Sequence, residues 1–252
     1  MARDRPRVLL TGAAGAVGSA LRRGWEAADR YELTLTDVRP IEDAQSPSEI
    51  GDIRDAEMTR RLCAGQDALV HLSYLGADNA GGDAVELTDI GLSMRLFRQA
   101  AEAGVRKIVY ASTNHVSGMN ETLYDPPRLC TSDMHRPDGW YGAMKGMSEI
   151  AGRYLSDAFD LRFIAIRIGT FTGGDEPDGL RLCSTLLTPR DGVQLFGLAV
   201  DYEGPEKFLV TYGTSGNNAG EHRSFLDISP ALKVLGYRPQ DNCMQHRHRF
   251  DS

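Results

Sequence analysis

The chain has 252 residues, enough for one sizeable α/β domain or for one domain with a small appendage. Hydrophobic residues make up 41%, charged residues 25%, and the formal net charge is −7, which speaks against nucleic-acid binding as a main activity. No apolar run approaches the roughly 20 residues of a membrane span, and the apolar stretch after the basic N-terminus is too short for a signal peptide. Cys63, Cys130, Cys183 and Cys243 show neither a C-x-x-C pair nor zinc-like spacing, so they read as reduced thiols of a cytoplasmic protein. The tail His246-Arg247-His248-Arg249 reads as a solvated end.

Residues 7–11 form a short apolar run, a buried first strand ending at the turn Thr11-Gly12-Ala13-Ala14-Gly15-Ala16-Val17-Gly18. A helix begins near Gly15 and carries Val17, Ala20, Leu21 and Trp25 on one side. Residues 33–36 are the second strand, with Asp37 at its end, and a third strand precedes Gly51-Asp52-Ile53-Arg54-Asp55. Residues 55–63 fit a helix, and 68–72 a buried strand after the turn Gly65-Gln66-Asp67. Helical periodicity runs through 87–103 and stops at Gly104, followed by a strand over 107–112. A long helix covers 141–159 and another strand 161–168. This alternation predicts an α/β fold, a Rossmann-type doubly wound parallel sheet over residues 1–169. Residues 170–252, irregular and rich in Gly, Asp and Pro, are expected as a small C-terminal substrate lobe of the same domain, over the carboxyl ends of the strands.

Two motifs carry chemistry. Gly12, Gly15 and Gly18 allow a tight turn and close approach of backbone to a pyrophosphate, with Ala14, Ala16 and Val17 beside it and a helix N-terminus facing the anion. An acid about 20 residues on completes a dinucleotide fingerprint. Asp37 there accepts from the adenosine ribose hydroxyls and repels a 2′-phosphate, which favours NAD, although Arg39 is close by. Asp52 is placed to bond the adenine amino group and Ile53 to pack on the ring; a helix N-cap at Asp52 or Asp55 is compatible with this. Leu72 and Ser73 follow a strand end beside the expected diphosphate and ribose, while His71 is read as structural. The second motif is Tyr141-Gly142-Ala143-Met144-Lys145, which sets a phenol and an ammonium one helical turn apart. The cation can lower the phenol's pKa from about 10, so that the phenol takes a proton from an alcohol while hydride leaves for a nicotinamide. Together the motifs point to a nicotinamide-dependent dehydrogenase or epimerase.

The glycine turn, the strand end Ser112-Thr113 and Y-x-x-x-K resemble the extended short-chain dehydrogenase/reductase superfamily over about residues 8–169. Ala111-Ser112-Thr113-Asn114-His115, Arg136-Pro137-Asp138-Gly139-Trp140-Tyr141-Gly142, Arg167-Ile168-Gly169-Thr170, Arg181-Leu182-Cys183-Ser184-Thr185 and Leu235-Gly236-Tyr237-Arg238-Pro239-Gln240-Asp241-Asn242 look like uronate dehydrogenases. Haloarchaeal-type NAD-dependent hexose-phosphate dehydrogenases share much of that signature. The resemblance implies Tyr141 as general base, Lys145 as its modulator and ribose ligand, and Thr113 as the hydroxyl partner. Thr88 and Ile168 are implied as further cofactor contacts. Asn114 and His115 would meet sugar hydroxyls, Thr170 and Gly76 would line the pocket, and Arg181 would clamp a substrate carboxylate. Thr113 and Thr170 stand where the family has Ser, Thr88 where it has Asn and Gly76 where a Ser is expected. The stretch 173–179 is longer and more acidic than the pattern.

The reaction so implied is oxidation of the C1 hydroxyl of glucuronate or galacturonate to an aldarolactone, with NAD and no metal. Bland alternatives stay open: Thr113 capping a turn, Asn114 and His115 bonding backbone, Arg181 pairing with Asp175, Glu176 or Asp178. A hexose or hexose 6-phosphate dehydrogenase is the near rival; a phosphate would want a second cation, for which Arg190 is one candidate. A nucleotide-sugar epimerase or dehydratase and a non-catalytic NAD-sensing protein are the others. The resemblance also implies a homo-oligomer paired through the Tyr-bearing helix.

Overall fold

The computed structural model describes residues 5–75, 83–123 and 128–250. Seven strands form one parallel sheet in the order β3-β2-β1-β4-β5-β6-β7. They are β1 (Arg7–Thr11), β2 (Glu32–Asp37), β3 (Ser48–Ile50), β4 (Ala68–His71), β5 (Lys107–Thr113), β6 (Arg162–Ile168) and β7 (Phe208–Gly213). The chain builds outward from β1 in one direction as far as β3, then returns to place β4 on its other side. That reversal opens a crevice at the carboxyl ends of β1 and β4, where such sheets bind ligands.

Alternate side chains of each strand enter opposite layers. Val8, Leu10, Val70, Ile164 and Ile166 pack with Leu21 and Trp25 of α1 (Ala16–Ala27). Leu9, Leu69, Ile108, Tyr110 and Phe163 pack on the other face. There they meet α2 (Ala56–Cys63), α3 (Asp83–Glu102) and, further along, α5 (Trp140–Ala158), which follows the short α4 (Gly118–Leu123). Asp55 caps α2 by accepting from the amides of Glu57 at 2.9 Å and Met58 at 3.0 Å. Among the described residues no helix is long and apolar enough to cross a membrane.

The segment expected as an irregular lobe contributes to the core. After α6 (Leu180–Thr185), helix α7 (Pro189–Asp201) lays Leu195, Phe196 and Ala199 against α1 and the sheet, and β7 pairs along its whole length with Phe163 to Ile168 of β6. Thr188 caps α7 and donates to Asp241 at 2.7 Å. The buried Asn217 side chain joins the carbonyls of Ser184 and Leu186 to the amide of Cys243, fastening the last segment to α6.

Helix α1 also reaches beyond its own layer. Arg22 and Glu26 form a buried ion pair at 2.9 Å. Arg22 further donates to the carbonyls of Glu42 and Asp43, and Glu26 accepts from the amides of Gln45 and Ser46. The loop after β2 is therefore held by charges of α1.

Candidate active site

The glycine turn joins β1 to α1. Gly12 has φ +76°, which glycine adopts without strain, and a Cβ there would lie 2.8 Å from the Ser73 nitrogen. A Cβ on Gly18 would lie 2.1 Å from the Gly12 carbonyl oxygen. Three backbone segments therefore meet without side chains between them. This leaves a cradle for a pyrophosphate before the N-terminus of α1. The residues present fit NAD.

Asp37 ends β2 beside that turn and is 8% exposed. Its carboxylate accepts from the Ala14 amide at 2.9 Å and the Arg39 amide at 3.0 Å, so its orientation is set by backbone. The Arg39 guanidinium stands 3.7 Å away. Gly15, Ala16, Asp37, Asp52, Ile53 and Ser73 wall this half of the cleft. Burial raises the Asp52 carboxyl, but the Arg54 amide and guanidinium outweigh it and leave the group below its ordinary value.

Leu72 lines both halves of the cleft, and Val17, Thr113, His115, Tyr141 and Lys145 line the second. Ile168 and Thr170 stand on that second wall at the end of β6. Thr113 caps the 3-10 turn over Asn114–Ser117 by accepting from the His115 amide at 3.3 Å. The same hydroxyl faces the cleft beside the Tyr141 phenol and favours its ionised form. Capping and site contact therefore coexist in Thr113. Burial pushes the phenol up to about 12; the Thr113 hydroxyl opposes this and Asp89 adds to it. The lowering expected from Lys145 is not expressed in this geometry, because its ammonium donates to the Ala111 carbonyl at 3.0 Å. Burial brings Lys145 down to about 8, while Asp89 and Glu149 support its charge.

Other expected residues fall as follows. His115 pairs its Nδ1 with Asp138 at 2.7 Å, and its ring lies 5.9 Å from the Tyr141 ring. Asn114 is 1% exposed, and its Oδ1 has no hydrogen-bond partner among the described residues. Thr88 is exposed on α3 and does not line the cleft described above. Gly76 lies outside the described residues. His71 is enclosed, bonded to Thr11 at 2.7 Å and Ser93 at 3.1 Å. Arg181 pairs with neither Asp175, Glu176 nor Asp178. Its Nε and Nη2 take both oxygens of Glu121 at 2.8 and 3.0 Å, and Nη1 reaches the Thr170 hydroxyl at 3.4 Å. Arg190 is likewise engaged by Asp241.

Several contributors carry no sequence signal of their own. Tyr74 stacks obliquely on Tyr141 at 4.9 Å, and Phe171 lines the same wall. Beneath Lys145, Glu149 accepts from Ser112 at 2.5 Å and pairs with the buried Arg167 at 2.7 Å. Glu149 was in view one turn after Lys145, as an i,i+4 neighbour. Glu121 sits in a short polar helix with no periodicity to flag it.

A parallel sheet whose switch point joins a glycine cradle to a Tyr–Lys pair, half-buried at the phenol and buried at the ammonium, defines an NAD-dependent oxidoreductase acting on CH–OH groups. The chain belongs to the NAD dependent epimerase/dehydratase family, whose pattern matches residues 8–187. It is 33% identical to an NAD-dependent glucose-6-phosphate dehydrogenase of Haloferax volcanii, over 95% of this chain and 94% of that protein. It is 31% identical to an L-arabinose 1-dehydrogenase (NAD(P)(+)) of the same organism, over 94% and 97%. The crystal structure of uronate dehydrogenase from Agrobacterium tumefaciens superposes with a TM-score of 0.81 at 30% identity, covering 97% of this chain and 88% of that one.

Proposed function

We propose that the protein oxidises the C1 hydroxyl of a cyclic sugar to the lactone, with Tyr141 as proton acceptor. The observation that carries this is the Tyr141–Thr113 hydroxyl pair on one cleft wall with Lys145, next to the glycine cradle. The glycine cradle and Asp37 would hold NAD, which would supply the hydride acceptor for C1. Thr113 orients the C1 hydroxyl toward the phenolate of Tyr141, which takes its proton as the C1 carbonyl forms. Lys145 stands with its ammonium 5.9 Å from the centre of the Tyr141 ring, and Asp89 and Glu149 sustain its charge inside the wall. His115 is the ring against which the sugar is set, whereas Asn114, 1% exposed with its Oδ1 enclosed, stands behind the residues that line the cleft.

For a hexuronate, the substrate carboxylate takes the place of Glu121 on the Arg181 fork. The intact Arg181–Glu121 pair favours a second reading, a sugar without a carboxylate. A phosphate finds little support, because the fork of Arg190 is already closed on Asp241.

NADH formation with glucuronate, galacturonate, glucose, galactose, L-arabinose and glucose 6-phosphate tests the proposal. Turnover of at least one is expected, reduced by about 10²- to 10⁴-fold in Tyr141→Phe. A fully active Tyr141→Phe enzyme, or NAD binding without turnover of any sugar, defeats it.

A further inference from the structure

We infer that the substrate is an uncharged aldose and that Glu121 is the residue which imposes this; the inference rests on the C1-oxidation reading above. Arg181 is the cation expected to meet an anionic group at the far end of the sugar. In the fold it is already satisfied. Both oxygens of Glu121 engage its Nε and Nη2 edge at 2.8 and 3.0 Å, the parallel geometry a guanidinium offers a carboxylate. Its remaining edge leans on Thr170, whose hydroxyl is also bonded to Thr185 at 2.9 Å. Thr170 lines the cleft, so the pair stands at the cleft's rim and not on a remote surface.

The pair comes from two helices sixty residues apart, α4 and α6. Its two members are 41% and 23% exposed in their side chains, so the pair beside Thr170 is open to solvent and not sealed in the core. To a ligand they present no net charge, with carboxylate lone pairs on one side and guanidinium N–H on the other. A sugar hydroxyl donates to the first and accepts from the second without parting them. A substrate carboxylate must instead evict Glu121, which exchanges one carboxylate for another. It also leaves a second negative charge at the rim with no cation assigned to it. The approach to α6 adds to this, since Asp175, Glu176 and Asp178 precede Arg181 and, among the described residues, only Glu176 of the three forms an ion pair, with Arg249. Glu121 is thus a specificity-determining residue for a reaction whose chemistry resides in Tyr141, Thr113 and Lys145.

The test uses matched sugars that differ only at C6: galactose against galacturonate, and glucose against glucuronate, with NAD and the full chain. In the wild type the neutral member of the better pair is expected to lead in kcat/KM by about tenfold or more, about one factor of ten in a transition-state ratio. In Glu121→Gln that ratio is expected to fall about tenfold, chiefly through a lower KM for the uronate, because Arg181 is released. A loss of folding would depress both members together and leave their ratio unmoved, so the ratio separates specificity from structure. Arg181→Gln serves as a second variant, expected to keep the neutral preference. A wild type that turns over the uronate faster than its neutral partner overturns the inference and leaves C1 oxidation standing. An unchanged ratio in Glu121→Gln also overturns it. NAD binding with no sugar oxidised removes the underlying reading and the inference with it.

Discussion

His71 is fully enclosed, yet both ring nitrogens are used, one by Thr11 and one by Ser93. Burial, and then the charge of Lys145, pushes the imidazole down from 6.5 to about 3. The unfolded chain therefore binds a proton below pH 6.5 that the folded chain refuses until about pH 3. Stability is present above that window and is lost as pH falls through it, at about 1.4 kcal/mol per pH unit. Between pH 6.5 and 4.5 the wild type is expected to lose about 2–3 kcal/mol more than His71→Gln in urea unfolding. Parallel pH curves for the two would reject this assignment. At this scale, local spacing was what the sequence disclosed. Gly12, Gly18, Asp37, Tyr141 and Lys145 declare themselves because a turn or a helix fixes their relations within a few residues. The Arg181–Glu121 and Arg167–Glu149 pairs do not, because each partner is chosen by packing between elements. The acidic stretch 173–179 drew attention to the wrong carboxylates for the same reason.

Helix α5 carries both Tyr141 and Lys145, and its seat on the sheet sets where they stand. At Gly152 an added Cβ would fall 2.3 to 2.5 Å from three atoms of the Phe163 ring on β6. Gly152→Ala is expected to cost about 1–3 kcal/mol by overpacking, measured in thermal or urea unfolding, and to lower kcat by shifting the helix. Gly91→Ala on the exposed side of α3 meets nothing within 4 Å and serves as the control. That control is expected to gain up to about 1 kcal/mol by helix propensity. Equal effects of the two substitutions would mean that the close contact does not constrain α5. Apart from α4, elements up to β6 were legible because buried parallel strands read as apolar runs and their helices as amphipathic repeats. Helix α7 and β7 were not. Helix α7 contains two glycines and an internal Gln, whereas β7 is an apolar run set apart from the regular alternation by a polar, proline-bearing loop. Their burial comes from α1 and β6, which the local sequence does not mention.

For the whole molecule, the carboxyl-terminal third both completes the sheet and shapes the cleft. Residues 1–169 alone would leave Trp25, Leu21, Ile164 and Ile166 without α7 and the edge of β6 without β7. Such a fragment is expected to lack a cooperative unfolding transition in circular dichroism, since a fully buried large side chain is worth about 1.5–3 kcal/mol each. A sharp, reversible transition in the fragment would instead make residue 169 a true domain boundary. The same economy of parts governs the cofactor end. Helix α1 lines the cleft with its first turn, where a pyrophosphate would be received. Two and three turns further on, it grips the loop after Asp37 through Arg22 and Glu26. The pyrophosphate and the adenosine half of the dinucleotide would thus be gauged by one rigid rod, as calipers gauge a length with both jaws on a single beam. A change deep in that rod, far from any ligand atom, would alter how NAD is measured while every fingerprint residue stayed in place.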